Sequence, residues 1–494
     1  MSPAINLKTV SNNVGWSVLA KTTTFGLKFV TVPLLARILS PAEFGAVAVA
    51  HTVVIFLTMV GSAGLAASLV VRRDLDAETL HSVFWANLLI ACALATGLYV
   101  WAEFFAEWLG AADAALLVRV MAFLIPIQLC GDVAYALLAR NMAFGKDATW
   151  SVVSEVIGAV TALGLALLGW GVWALVAQLF ISALIRLAGL LYASRYRPRL
   201  VMSLSKLAKL MKFSLGVMGS EIFNFITFQS PLVIISRHLG LADAGAYSAA
   251  NRFSSIPNQV LQTALMGVLF PAFSHMNDDR ARRSEALMLS TQVSTVFLAP
   301  MMFGIWAIAE PGMLLIFGPQ WAYAWPILGL LALSKGILTP CSTFIPYLKG
   351  AGQSSVLWWV AVARAILVYG FVTLGVMAGG LEEAMILLCI ANALTLVGYS
   401  WAVFRTDGTP FLSGLYVTSR PMITALVMAL AIRSLLDHIK DDVPSAALQV
   451  VICGLAGSVF YAALVLLTER ELVRKLLQLA RQRLVPEASL GPRS

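Results

Sequence analysis

Arg37-Ile-Leu-Ser-Pro-Ala-Glu-Phe-Gly45-Ala46 returns two hundred residues later as Arg237-His-Leu-Gly-Leu-Ala-Asp-Ala-Gly245-Ala246. Arg, Leu, Ala, Gly and Ala are identical in the two copies, and Glu43 is matched by Asp243. Each copy stands where one long apolar segment ends and the next begins. The spacing predicts one membrane unit used twice, an architecture that recurs in secondary transporters with the site between the repeats.

Composition agrees with a membrane chain. Of 494 residues, 60% are hydrophobic and 12% charged, against about 25% charged in soluble domains. The net charge of +9 does not indicate a nucleic-acid partner, because the basic residues cluster in short segments between apolar runs. No cleavable signal pattern is visible near the start, so the first span is expected to be retained. Cys92, Cys130, Cys341, Cys389 and Cys453 all lie in apolar segments without Cys-x-x-Cys spacing and read as packing residues.

Apolar stretches of about 20 residues are the unit of a helical span. About fourteen are expected, near 12–36, 44–71, 82–102, 114–139, 149–168, 171–193, 211–236, 245–271, 288–309, 325–348, 355–378, 383–404, 417–436 and 446–468. The first, seventh and eighth carry the most polar groups. With the N-terminus inside, the outer segments hold only Arg37, Arg237, Arg433 and Lys440, while the inner segments hold most other Lys and Arg. Both termini are therefore expected to be cytoplasmic. The basic linker 195–212 divides the chain, predicting a six-helix lobe over 1–200, a second over 201–410, and a helix pair with a basic tail over 411–494. The fold class is all-α, with two six-helix lobes related by a pseudo-twofold axis along the membrane normal. Trp101, Trp108, Trp170, Trp173, Trp321, Tyr323 and Trp325 read as an outer aromatic belt.

Lys21, Lys28, Arg119, Arg186, Arg252, Lys335 and Arg364 fall within spans. A charge at mid-membrane costs about 2.5–3.5 kcal/mol on insertion scales, so each needs a cavity, a partner or a route to the surface. Lys21 and Lys28 are seven residues apart, almost two helical turns, and share a face. They read as the wall of a hydrated, anion-attracting cavity. In the eighth span Tyr247, Asn251, Ser255, Asn258 and Gln262 form a polar stripe beside Arg252 and Gln259, expected to face the lumen. His51 matches Asn251 by the repeat and is placed with it. Lys335 is expected in the cavity of the second lobe. Glu221 matches Lys21; the two could pair, or Glu221 could carry a proton, and Glu155 is a further candidate for that role. Arg119, Arg186 and Arg364 are expected to snorkel or pair between helices.

No zinc-binding His-Glu-x-x-His, no Gly-x-Ser-x-Gly and no Walker loop is present. The expectation is a protein that is not an enzyme and needs no cofactor or metal.

With these turns in view, Arg37-x-Leu-Ser-Pro-x-Glu-Phe-Gly45 and Gly245-Ala-Tyr247-Ser-Ala-Ala-Asn251-Arg252-Phe253 resemble polysaccharide exporters of the Wzx flippase type. Those belong to the multidrug/oligosaccharidyl-lipid/polysaccharide superfamily. The resemblance implies a V-shaped pair of lobes around a cationic cavity. It implies alternating access carrying an undecaprenyl-diphosphate-linked oligosaccharide across a bacterial inner membrane, for exopolysaccharide or lipopolysaccharide synthesis. Lys21, Lys28, His51, Arg252 and Lys335 would contact substrate. Arg37, Glu43, Arg237 and Asp243 would sit at an outer gate. A monomer, H+ or Na+ coupling, and polymerase or export-protein partners are further expectations. The pair at 417–468 departs from twelve-span members; in lipid II flippases an extra pair forms a groove for the lipid tail. A lipid II flippase, a cation-coupled multidrug exporter and a membrane polymerase or ligase are the alternatives. Basic rather than acidic spans disfavour the exporter, and the short outer loops disfavour the enzymes.

Overall fold

The computed structural model describes residues 23–24, 26–62, 65, 68–69, 76–275, 280–408, 410–475 and 478, with some side chains of 209–220 and 262–280 left out. Lys21, Arg72, Arg73 and the end of the basic tail lie outside the described residues.

The helices follow the apolar segments. They are α1 (26–38), α2 (Pro41–Ser62), α3 (Ala77–Val100), α4 (Ala112–Arg140), α5 (Phe144–Leu167), α6 (Val172–Ser194) and α7 (Leu204–Leu239). Then come α8 (Leu241–His275), α9 (Arg280–Ala307), α10 (Trp325–Ile337 and Cys341–Gly350), α11 (Ser354–Ala378), α12 (Leu381–Asp407), α13 (Phe411–Ile439) and α14 (Ala446–Thr468). Among the described residues, ten helices are long and apolar enough to span a membrane, or eleven when the bent α10 counts as one. The other three, α1, α7 and α8, are described only in part.

The repeat extends well beyond its sequence motif. After α3 come a short helix, Ala102–Trp108, and a 3-10 turn, Ala112–Ala114. After α9 come a short helix, Ala309–Phe317, and a 3-10 turn, Pro319–Ala324. The next helix is broken in both cases. In α4 the chain breaks around Ala122–Phe123, where the ring of Pro126 opposes the carbonyl four residues earlier. In α10 it bends by 40° ahead of Pro340, the N-cap of the second piece.

Within lipid, helices gain little from apolar burial against one another, so close approach of small residues holds them. The joint between α2 and α8 is of this kind. Gly45, Ala46 and Ala50 meet Gly245, Ala246, Ala249 and Ala250, the alanines all buried. A Cβ on Gly45 would lie 1.9 Å from the Leu241 carbonyl oxygen, and one on Gly245 would lie 1.8 Å from that of Pro41. Positions 41–50 and 241–250 show the same succession of exposed and buried residues. Gly45 lets two backbones touch. The left-handed turn is at Gly240, φ +94°.

The last pair docks on the second lobe. Ala425, Met428, Ala429 and Ile432 of α13 and Cys453 of α14 share a core with Leu298, Met302 and Phe303 of α9. The hydroxyl of Tyr461 donates to the Val296 carbonyl at 2.9 Å. Arg420 faces Glu469 at 3.6 Å.

The linker between α6 and α7 is fastened to the start of α3. Tyr196 Oη lies 3.1 Å from His81 Nδ1, and Trp85 Nε1 donates to the Arg199 carbonyl at 2.7 Å. The Ser203 amide donates to Ser82 Oγ at 2.9 Å. Lys206 pairs with Asp76, the N-cap of α3, and with Glu78. Hydrogen bonds from the Lys206 ammonium and from Thr79 hold the Asp76 carboxyl below the usual carboxylate range. A depressed carboxyl contributes its stability above the unfolded value and loses it as pH falls through the folded one. Hydrogen exchange over 199–203, normalised to intrinsic rates, should therefore rise in acid below about pH 4. The Lys206→Met variant should show the fast exchange already at neutral pH. Equal protection in both proteins would remove this fastening role.

Candidate functional site

Two adjoining chambers meet at Lys28, His51 and Glu155, the first between the lobes and the second lined by the first lobe alone. One, of about 310 Å³, is lined by Lys28, His51, Glu155, Gln178, Arg252 and Gln259, with apolar walls from α1, α2 and α6. The other, of about 540 Å³, shares Lys28, His51 and Glu155 and extends to Gln128, Asp132, Ser151 and Arg186.

The charges are arranged around one carboxylate. Lys28 Nζ is 3.6 Å from Glu155 Oε2, bridging α1 and α5. Arg252 of α8 is exposed to the first chamber and has no hydrogen-bond partner among the described residues. Arg252 also feels the field of Glu155. His51 of α2 lies close enough to feel both Lys28 and Arg252. Two cations thus share one carboxylate, leaving the chamber positive. Gln178, Gln259 and Ser182 add neutral hydrogen-bonding groups. Such a site favours an anionic ligand, because charge-assisted hydrogen bonds are stronger than neutral ones.

The expected residues separate on this geometry. Lys28, His51, Glu155 and Arg252 come together. Lys21 lies outside the described residues. Glu221 is exposed on α7 and is not part of either chamber's lining. Lys335 lies elsewhere. Its Nζ donates to the Asn251 side chain at 2.8 Å, to Ser254 Oγ at 2.7 Å and to Ser255 Oγ at 2.6 Å, with the Asn251 carbonyl at 2.9 Å. Asn251 and Ser255 of the α8 stripe therefore do not face the lumen. Asn251 and Ser255 face α10, Tyr247 is buried, and the neighbouring Arg252–Gln259 face lines the chamber. The Gln262 side chain lies outside the described ones. One ammonium satisfies a helix face that lipid could not. Lys335→Met would strip the Asn251 side-chain oxygen of its donor, while Ser254 and Ser255 keep their bonds to the Ala250 and Asn251 carbonyls; a buried group left unsatisfied costs about 1–3 kcal/mol. The purified variant should melt several degrees lower. An unchanged melting temperature would remove the tethering role.

The other intramembrane arginines are held locally. Arg186 pairs with Asp147 at 2.8 Å and contacts Ser151; Arg119 pairs with Glu103 at 2.7 Å. The Arg364 guanidinium lies over the Phe228 ring at 5.3 Å.

At the joint end, Arg37 and Glu43 do not pair with each other. Arg37 donates to the Leu315 and Ile316 carbonyls, which end the short helix of the second lobe. Arg237 instead stacks on Trp108, in the short helix of the first lobe, at 5.6 Å. Each arginine thus reaches across to the other lobe. Glu43 Oε2 accepts from the Ser40 amide at 2.8 Å, and Ser40 Oγ accepts from the Glu43 amide at 3.3 Å. The sequence signal of this reciprocal cap is Ser40-Pro-Ala-Glu43, a Ser-x-x-Glu ahead of an apolar run. Asp243 has no such serine, because Gly240 stands in its place. It sits beside Tyr323, whose hydroxyl donates to the Ala242 carbonyl at 3.4 Å.

Trp321 corrects the aromatic belt. It is fully buried, its Nε1 donates to the Ala36 carbonyl at 2.7 Å, and Phe44 meets its ring edge-on at 5.5 Å. It plugs the joint, whereas Trp101, Trp108 and Trp170 are exposed as expected. Beside the first chamber lies an apolar cleft of about 510 Å³ lined by α1, Ile305, Leu328 and Val450 of α14. Pro33 and Phe253 border both spaces, and Phe253 packs on Phe29 at 5.0 Å.

An all-helical membrane protein built from a repeated unit, with a cationic chamber between the copies, is a transporter-like architecture. The polysaccharide biosynthesis protein family matches residues 34–326, more than half of the chain, and the chain belongs to that family. The succinoglycan biosynthesis transport protein ExoT of Rhizobium meliloti (strain 1021) is 65% identical over 491 residues, 99% of each chain. The lipopolysaccharide biosynthesis protein WzxC of Escherichia coli (strain K12) is 24% identical over 329 residues, 66% of each chain. Among solved structures, the lipid II flippase MurJ in an inward closed conformation superposes with a TM-score of 0.73 at 15% identity. The match covers 94% of this chain and 99% of that one, and it defines the shared fold.

Proposed function

We propose that this protein is a flippase for a lipid-linked oligosaccharide, the diphosphate-bearing precursor of an exopolysaccharide of the succinoglycan type. The observation that carries this reading is the cluster of Lys28, Arg252 and His51 around a single carboxylate, Glu155, between two repeated units. A diphosphate is a dianionic group that such a cluster suits. The close likeness to ExoT supports the polymer class.

The cargo enters from the cytoplasmic side, with its head group in the chambers and its polyprenyl chain in lipid. The apolar cleft next to Phe253 offers the chain a place beside the polar chamber. The lobes then rock about the α2–α8 joint, which is the outer end, and Arg37, Glu43, Arg237 and Asp243 form the gate there. Both termini are cytoplasmic in a bacterial inner membrane. The lobe boundaries near 200 and 410 follow the linkers. The protein works without catalysis and without a cofactor, driven by H+ or Na+, as a monomer beside polymerase and export proteins.

The test is complementation. A strain lacking its own succinoglycan transport protein should regain polymer secretion when supplied with this gene. Without the gene, the complete lipid-linked repeat unit should accumulate in the membrane. Full expression without restored secretion would overturn the assignment. A lipid II flippase would instead rescue growth of a strain depleted of its peptidoglycan precursor flippase.

A further inference from the structure

A further cavity lies away from the central site, where α5 begins and α6 ends. It encloses about 820 Å³ and is lined by Lys146, Trp150, Tyr192, Arg195, Tyr196 and Arg197. Arg195 terminates α6 in the left-handed region, φ +55°. The turn it makes brings the linker's two arginines to the same cavity as Lys146 at the start of α5.

Nearby acids are already engaged. Asp76 and Glu78 hold Lys206, and Asp147 holds Arg186. Among the described residues, Lys146, Arg195 and Arg197 form no ion pair. Three exposed cations therefore surround one cavity with aromatic walls, Trp150 and Tyr192 meeting edge-on at 6.1 Å. The floor is rigid, because Tyr196 is buried and bonded to His81 and the Leu80 carbonyl.

The lining also carries apolar surface, Leu191 and Tyr192, and Tyr192 is 79% exposed. In a water-facing loop that exposure would be costly, but at a membrane surface it is compatible with acyl chains. A phosphate binding to the cations would therefore have hydrocarbon beside it. Basic pockets between helices at the cytoplasmic face are suited to anionic lipid head groups.

We propose that this cavity is a binding site for the phosphodiester head group of an anionic phospholipid such as phosphatidylglycerol. The lipid fixes the α6–α7 linker, and so the first lobe, to the membrane surface. The proposal is independent of the cargo; the orientation above decides only which leaflet supplies the lipid.

The full chain is reconstituted in vesicles of phosphatidylcholine with spin-labelled phosphatidylglycerol or spin-labelled phosphatidylcholine. The immobilised fraction gives the preference for the anionic lipid. The wild type should prefer phosphatidylglycerol. A cation near an anionic surface contributes up to about fivefold, so Lys146→Gln with Arg197→Gln should lower the preference by up to about that factor for each residue removed. Arg199→Gln, one charge less on the same linker but outside the cavity lining, should leave it unchanged. An unaltered preference in the double variant overturns the proposal, and so does an equal loss in Arg199→Gln, which would mean diffuse surface charge. Displacement of the labelled lipid by millimolar inorganic phosphate would make free phosphate the ligand and also overturns it.

Discussion

Gly45→Ala reduces polymer secretion by about fivefold to a hundredfold while the protein inserts normally. The added methyl would sit 1.9 Å from the Leu241 carbonyl oxygen, a separation no real Cβ tolerates. The neighbour is backbone on a long helix, so it cannot swing aside as a side chain would. Overpacking of this kind costs about 1–3 kcal/mol, and every 1.4 kcal/mol is about tenfold in the ratio of closed to open joint. In a background without the five native cysteines, Thr52→Cys is buried below the joint. It should become reactive to an impermeant thiol reagent from outside only when Gly45→Ala is present. Gly97→Ala, where the new methyl meets nothing within 4 Å, is the control. Unchanged secretion and unchanged labelling in Gly45→Ala would mean that the joint does not govern the cycle.

Arg252→Gln abolishes secretion, and Lys28→Gln reduces it severely. In the proposed function each removes a charge-assisted contact to the diphosphate worth about 1.5–3 kcal/mol, on the order of tenfold to a hundredfold in binding. Lys28→Arg keeps more activity than Lys28→Gln, since charge persists although the shape differs. Arg252 tolerates less, because its guanidinium, unlike the Lys28 ammonium, forms no ion pair or hydrogen bond among the described residues and is left for the cargo. Secretion is measured in a strain lacking the native gene, with protein level checked by immunoblot. If the doubly substituted protein is well expressed and secretes normally, the cationic chamber is not where the cargo binds.

The fold was legible because lipid imposes length and polarity on every span. The duplicated turn gave the repeat, and the structure extends it to the short helices and the broken fourth helix of each half. The site was legible in part. Lys28, Arg252, His51 and Glu155 stood out because each is costly in a span. Lys335 stood out for the same reason, but cost does not say how a charge is satisfied. Its three partners on α8 supply the answer, and only the packing of α8 on α10 reveals it. The offset of two hundred residues paired His51 with Asn251, yet the two halves use these positions differently. A repeat carries over backbone placement, whereas side-chain neighbours diverge. Trp321 was misplaced for a related reason: composition puts tryptophan at a boundary, but a hydrogen bond to Ala36 draws this one into the joint.

The glycine contact is also a fulcrum. Gly45 is the fifth residue of a 22-residue helix, so α2 extends about 6 Å to one side of it and about 25 Å to the other. The arms differ about fourfold. A shift of one ångström at the Ser40 end becomes several at the Ser62 end, with no side chain to unlock at the pivot itself. A small ligand or antibody fragment gripping the short arm would hold the far mouth in one position without ever touching it.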